Sequence, residues 1–129
     1  MKTKVNEIFS SIQGEGPVVG YKQLFIRFCG CNLKCNYCDT DFSDGTTYSE
    51  EELYKKITTE YNLETFHSIS LTGGEPLLSA EFLKEFLPMI KGITKIYLET
   101  NATLSDKLPL IKNYIDIISA DIKLNLNPE

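Results

Sequence analysis

The sequence predicts an α/β fold built on a parallel sheet, and two observations carry the prediction. Short β-prone runs alternate with helical periodicity along the chain, and the glycine-, proline- and cysteine-rich stretches fall where those strands end. Strands alternating with helices imply right-handed crossovers and a parallel sheet, whose ligand sites form in loops leaving the carboxyl ends of strands. The composition agrees: 129 residues with 42% hydrophobic side chains and a net charge of −5 describe a globular chain, neither disordered nor fibrous. No internal repeat, low-complexity tract or linker divides it, so residues 1–129 read as a single domain.

Taken in order, Val5 to Phe9 and Gln23 to Phe28 are strands, separated by Gln13-Gly14-Glu15-Gly16-Pro17, whose glycines and proline mark a loop. In the second strand the period of two puts Leu24, Ile26 and Phe28 on one face and Gln23, Phe25 and Arg27 on the other. A Cys-rich loop follows. Ser49-Glu50-Glu51-Glu52 reads as a capping box, and Leu53, Ile57 and Tyr61 recur at four-residue spacing. Together they predict a helix from about Ser49 to Tyr61, its acidic first turn suited to the helix dipole. Ser68 to Leu71 is a strand running into Gly73-Gly74-Glu75-Pro76. Ser79 is expected to cap a second helix whose Phe82, Leu83, Phe86, Leu87 and Ile90 form one stripe, interrupted near its end by Pro88. Lys95 to Glu99 is the next strand, Asp106 to Asn113 a weaker helix, and Asp116 to Ile122 the last strand. The chain stops at Asn127-Pro128-Glu129, which leaves four principal strands, no closing helix and an exposed sheet edge.

No run approaches the roughly 18 apolar residues of a membrane span. The first seven residues lack the apolar core of a secretory signal, so the cytoplasm is the expected compartment. Nucleic acid is not an expected partner of so acidic a chain. Residues 1–35 hold five basic and two acidic side chains against eight and sixteen in residues 36–129, so an anionic ligand favours the N-terminal third.

Cys31, Cys35 and Cys38 place three thiols within eight residues, close enough to converge on one metal centre. A chain of this length buries a core without disulfides, and cytosolic thiols so spaced read as metal ligands. A structural zinc site normally takes four ligands, and the only histidine, His67, lies far off in an expected strand. Three thiolates suit an iron–sulfur cluster with one iron left open. Residue chemistry alone leaves a cluster, zinc and unligated thiols all open. Cys29, ending an apolar strand, reads as a structural cysteine outside the ligand set.

The run from Cys31 to Cys38, with Tyr37 before the last cysteine, resembles the signature of radical S-adenosylmethionine (SAM) enzymes. Gly73-Gly74-Glu75-Pro76, following a strand, matches that superfamily's second motif. Glu7-Ile8-Phe9-Ser10-Ser11-Ile12-Gln13-Gly14-Glu15-Gly16 together with Cys38-Asp39-Thr40 is similar, more narrowly, to the 7-carboxy-7-deazaguanine synthase family of the queuosine and deazapurine pathway. The similarity runs from about Val5 to Lys123.

The resemblance implies a partial (β/α) barrel of the radical SAM type. Family members continue past this point with strands that complete the substrate pocket. The domain is therefore expected to be incomplete at its C-terminus, or closed by a second subunit in a homodimer. The resemblance further implies a [4Fe–4S] cluster on Cys31, Cys35 and Cys38, its open iron chelated by the amino and carboxylate groups of SAM. An electron donor such as flavodoxin or ferredoxin reduces it, and SAM is cleaved to methionine and a 5′-deoxyadenosyl radical. That radical abstracts hydrogen from 6-carboxy-5,6,7,8-tetrahydropterin, which contracts to the deazapurine and loses ammonia with the assistance of Mg²⁺.

Residue by residue, the resemblance assigns SAM contacts to Tyr37, Cys38, Asp39, Gly73, Gly74, Glu75 and Asn101. It assigns pterin contacts to Ile12, Gln13, Gly14, Arg27 and Thr72, and a Mg²⁺ contact to Thr40. The chemistry supports these unevenly. Glycines allow close backbone approach. The only arginine, Arg27, carries a planar fork suited to a carboxylate and is costly on an inner strand unless paired. A lone Thr hydroxyl is a weak Mg²⁺ ligand that needs substrate and water oxygens beside it. His67 reads as structural.

Two other functions share part of this pattern. An activase taking hydrogen from a glycine of a partner protein uses the cysteines and glycines but has no need of the Gln13–Gly16 loop with Arg27. A zinc or iron–sulfur binding module without catalysis needs only the cysteines. Single alanine replacements at Cys31, Cys35 and Cys38 are each expected to abolish an anaerobically reconstituted cluster, whereas Cys29→Ala retains it. Stoichiometric zinc without sulfide, or cluster loss confined to Cys29→Ala, contradicts the assignment.

Overall fold

The computed structural model describes residues 1–14, 20–29, 45–101 and 104–120. Six strands form one sheet: β1 (Lys2–Ile12), β2 (Lys22–Phe28), β3 (Thr46–Ser49), β4 (Ser68–Gly73), β5 (Lys95–Thr100) and β6 (Ile117–Ala120), in the order β3-β1-β2-β4-β5-β6. Strands β2, β4, β5 and β6 run parallel, as the alternation of elements predicts. Strand β1 is antiparallel to both β2 and β3, so the four parallel strands are extended on one side by an antiparallel pair, of which β3 was not among the expected strands. Parallel neighbours need a crossover of about a dozen residues or more, and the turn between β1 and β2 is a hairpin. Gln13 N–H donates to Tyr21 O at 3.0 Å and Gly20 N–H to Gln13 O at 2.9 Å across its mouth. Strand β1 is also longer than the expected Val5 to Phe9, because its first half pairs with β3 and its second with β2.

Helix α1 (Glu50–Glu60) begins at the expected capping box: Ser49 Oγ accepts from Glu52 N–H at 3.1 Å and Ser49 N–H donates to Glu52 Oε1 at 2.7 Å. Helix α2 (Ala80–Ile90) follows a 3₁₀ turn over Pro76–Ser79 and continues through Pro88. Ser79 does not cap it: the hydroxyl bonds Thr3 Oγ1 at 2.7 Å instead. The helix expected over Asp106 to Asn113 is two 3₁₀ turns, Ser105–Leu110 and Lys112–Tyr114. Pro109 lies inside the first, where its missing N–H and its ring oppose an α-helix. Strand β6 covers Ile117–Ala120, and residues 121–122 of the expected strand lie outside the described residues. No described helix is long and apolar enough to cross a membrane.

The period of two divides the sheet into two faces. Leu24, Ile26 and Phe28 of β2, Ile69 and Leu71 of β4, and Ile96 and Leu98 of β5 share one buried cluster with Leu53 and Ile57 of α1 and with the Phe82, Leu83, Phe86 stripe of α2. Each buried aliphatic or aromatic side chain contributes about 1.5–3 kcal/mol of transfer free energy. The alternate positions Gln23, Phe25 and Arg27, Ser68, Ser70 and Thr72, and Tyr97 and Glu99 form the opposite face.

Asp116 fastens β6 to this sheet. Its backbone N–H donates to Ile96 O at 2.9 Å, its Oδ2 accepts from Ile96 N–H at 2.8 Å, and its Oδ1 accepts from Lys91 Nζ at 2.9 Å. Burial pushes the carboxyl upward, but the Ile96 N–H and the Lys91 ammonium together hold its pKa below the ordinary 3.8. A group with a lowered folded pKa stabilises the fold above its unfolded value and loses that contribution as pH falls through the folded value. The urea midpoint of Asp116→Asn is expected to lie below that of the unsubstituted chain at neutral pH, with the gap closing once the pH drops below 3.8. A gap undiminished in stronger acid contradicts this.

Candidate functional site

Three strand ends meet where the sequence motifs leave the sheet. In the parallel register Gly73, ending β4, pairs with Phe28, ending β2. Gly73 has φ +114°, and a Cβ there would collide with the Phe28 backbone and stand 2.9 Å from Arg27 Cγ. Only glycine holds this left-handed conformation at so close an approach. Gly74 N–H donates to Phe28 O at 3.0 Å, and both glycines remain exposed to solvent. The second motif is therefore pinned to the strand end from which the cysteine loop departs. Cys29, half-buried, donates its N–H to Lys4 O at 3.0 Å, and its Sγ fills the space a Cβ on Gly45 would need. Cys31, Cys35, Tyr37, Cys38, Asp39 and Thr40 lie outside the described residues.

Glu75 ties this motif to β5. Its side chain is fully buried, and the carboxylate takes three donors: Leu77 N–H at 3.0 Å and Thr100 Oγ1 at 2.7 Å on Oε2, and Asn101 N–H at 2.7 Å on Oε1. Such charge-assisted bonds offset the desolvation of a buried anion. They hold the exposed glycine peptides and the backbone of Asn101 at a fixed separation.

On the face opposite the helices, Gln13 and Thr72, far apart in sequence, meet on one carboxylate. Gln13 Nε2 donates to Glu99 Oε2 at 3.1 Å and to Gln23 Oε1 at 2.9 Å, and Thr72 Oγ1 donates to Glu99 Oε1 at 3.2 Å. Gly14 N–H donates to Gln13 Oε1 at 3.0 Å. Ile12 is one residue out of phase and 58% exposed, so its side chain stands apart from this group. Glu99 was missed by the sequence reading; its signal is an acidic residue following the apolar Ile96-Tyr97-Leu98, in phase with the chemistry-bearing face.

Arg27 lies in the same row on the adjacent strand, paired across the sheet with Glu7 and Thr72. Its Nη1 donates to Glu7 Oε1 at 3.0 Å, and the guanidinium sits 5.2 Å from the Phe9 ring centroid. Phe9 in turn stacks on Phe25 at 5.0 Å. Both charged side chains are about half exposed, 46% and 50%, so the pair is worth only about 0–1 kcal/mol. One engaged donor of five leaves the fork able to take a carboxylate. Between Phe25 and Tyr97 in register, Ser70 Oγ is buried without a hydrogen-bond partner among the described residues, an orphan on this same face. His67 precedes β4 and stacks on Tyr21 at 4.3 Å.

Gly73→Ala is expected to destabilise the chain by more than about 1 kcal/mol, since it adds a backbone clash to the strain of a positive φ. Gly92→Ala, with φ +99° but no atom within 4 Å of the added methyl, carries the strain alone and should lose less. Equal losses in urea unfolding contradict the close approach of β2 and β4.

The family model of the radical SAM superfamily matches residues 25–124. The 7-carboxy-7-deazaguanine synthase of Methanothermobacter thermautotrophicus is 44% identical over 128 residues, which cover 96% of this chain and 51% of that protein. Its counterpart in Geobacter sulfurreducens is 37% identical over 142 residues, with 94% and 57% covered. The crystal structure of QueE from Escherichia coli aligns with a TM-score of 0.66 at 27% identity, covering 80% of this chain and 54% of that one. The chain spans about half the length of the curated relatives it matches. With a family match over most of its residues and its glycine motif seated on the strand end that the cysteine loop leaves, the chain belongs to the radical SAM superfamily, whose membership implies a [4Fe–4S] cluster and SAM.

Proposed function

We propose that this chain acts in a 7-carboxy-7-deazaguanine synthase, which converts 6-carboxy-5,6,7,8-tetrahydropterin to 7-carboxy-7-deazaguanine with loss of ammonia. The observation that carries the reading is the grouping on the sheet face opposite the helices. Gln13, Thr72 and Glu99 form one hydrogen-bonded edge for a flat heterocycle, and Arg27 on the strand beside Thr72 supplies a cation for its carboxylate. The Ser70 hydroxyl, between Phe25 and Tyr97 and without a hydrogen-bond partner among the described residues, adds a polar group on the same face.

The donor set fits the implied cofactors. Cys31, Cys35 and Cys38 would hold the cluster, and the exposed peptides of Gly73 and Gly74 suit the amino-acid end of SAM, with Tyr37, Cys38, Asp39 and Asn101 as further contacts. Glu75, engaged by three protein donors, serves by holding the glycine and Asn101 backbones in place. When bound, the cluster and SAM supply one-electron hydrogen abstraction. The chain's own residues bind and orient the pterin and exclude water from it. Thr40 would contribute one oxygen to Mg²⁺. A flavodoxin or ferredoxin supplies the electron, and the second subunit of a homodimer closes the site in the cytoplasm.

In the full chain, Arg27→Ala is expected to uncouple the reaction: SAM is still cleaved to 5′-deoxyadenosine when reductant is supplied, while the deazapurine is not formed. Because Arg27 is half exposed, the loss of pterin affinity sits at the lower end for such pairs, about 30-fold. Arg27→Lys, which keeps the charge without the fork, should fall between. Unchanged pterin affinity in Arg27→Ala overturns the carboxylate role.

A further inference from the structure

On the same sheet face as the predicted pterin contacts, toward the start of β2 and β4, lies a group of buried polar side chains that the proposed function does not use. Gln23 is fully buried on β2, its Oε1 accepting from Gln13 Nε2 at 2.9 Å and its Nε2 donating to Ser68 Oγ at 2.7 Å. Ser68, equally buried at the start of β4, lies 3.0 Å from His67 Nδ1. Glu99 Oε2 and Gln23 Oε1 both accept from the NH₂ of Gln13, and Gly14 N–H donates to the Gln13 carbonyl, so both ends of that amide are fixed. The same logic fixes Gln23, whose Oε1 must meet Gln13 and whose Nε2 must meet Ser68. Every hydrogen bond from Glu99 to Ser68 therefore has one direction.

A buried amide in mid-sheet is costly unless both of its ends are paired, and once paired it specifies a unique arrangement. The next positions on this face, Phe25 and Tyr97, fill space with aromatic rings, and an apolar residue at position 23 would pack the sheet with less desolvation. The polar choice makes sense through Gln13. We infer that Gln23 and Ser68 are positioning residues: from the far end of the same face they lock the amide of Gln13, and through it the Glu99 carboxylate, in the orientation a pterin meets. This inference rests on the reading that this face binds the pterin.

The test combines binding in the full, cofactor-loaded chain with an observation on the ligand-free protein. Calorimetric affinities for pterin-6-carboxylic acid are measured for Gln23→Leu, Ser68→Ala, Gln13→Ala and the Gln13→Ala/Gln23→Leu pair. Gln23→Leu should weaken binding about 5- to 30-fold, with Ser68→Ala, which removes a single oxygen, shifting it the same way by less. In the Gln13→Ala background Gln23→Leu should cause no further loss, because it acts through Gln13. Without ligand, the side-chain NH₂ signals of Gln13 should exchange faster with water in both Gln23→Leu and Ser68→Ala, while the core methyl signals hold. Additive losses in the pair, or Gln13 exchange unchanged in both variants, overturn the positioning role. Unchanged affinity in Gln13→Ala instead overturns the pterin reading, and the exchange measurement then decides the positioning role by itself.

Discussion

The site depends on the contact between Gly73 and Phe28. Parallel pairing brings the ends of β2 and β4 level, and the missing Cβ of Gly73 lets the second strand press its backbone against the first. Gly74 N–H then completes a bond to Phe28 O, turning the chain so that Glu75 points inward to Thr100 and Asn101. One steric allowance thus sets the relative position of three strand ends. The cysteine loop leaves from the first of them, the glycine peptides lie on the second, and Asn101 follows the third.

The sheet's two faces obey different physics. On the helical side, Leu24, Ile26, Phe28 and their neighbours gain stability simply by leaving water, with no directional requirement. On the other side, Gln23, Ser68 and Gln13 are buried too, and each is tolerable only because a specific partner stands within hydrogen-bond reach. Arg27 and Glu7 avoid that demand by staying half exposed, which leaves their pair weak and the guanidinium available to a ligand. Apolar burial supplies stability, and the satisfied polar network supplies geometry.

Much of this was legible in local pattern. The period of two in Gln23 to Phe28 separated the core from the chemical face, and Ser49 with Glu52 announced α1. The antiparallel β1 was harder, because hairpin and crossover differ in pairing rather than in the residues of the strand itself. The region from Asp106 to Asn113 carries helical spacing, but Pro109 shortens the turns to 3₁₀. Ser79 has the chemistry of a cap, yet Thr3 of β1 takes its hydroxyl. The roles of Glu99 and Gln23 are not legible in local pattern because they come from partners distant in sequence: Gln13 and Glu99 are 86 residues apart, and Gln23 and Ser68 are 45. Glu75 was recognised as part of a motif, but its three protein donors could be seen only in the folded chain.

The central claim is that a carboxylated pterin lies on the sheet face opposite the helices, and a chemical-shift map tests it most directly. With pterin-6-carboxylic acid titrated into the isotope-labelled full chain, the shifts should concentrate on Gln13, Arg27, Thr72 and Glu99, and the amides of α1 and α2 should remain still. Shifts centred on the helical side, or none on these four residues as the pterin saturates, would contradict the account.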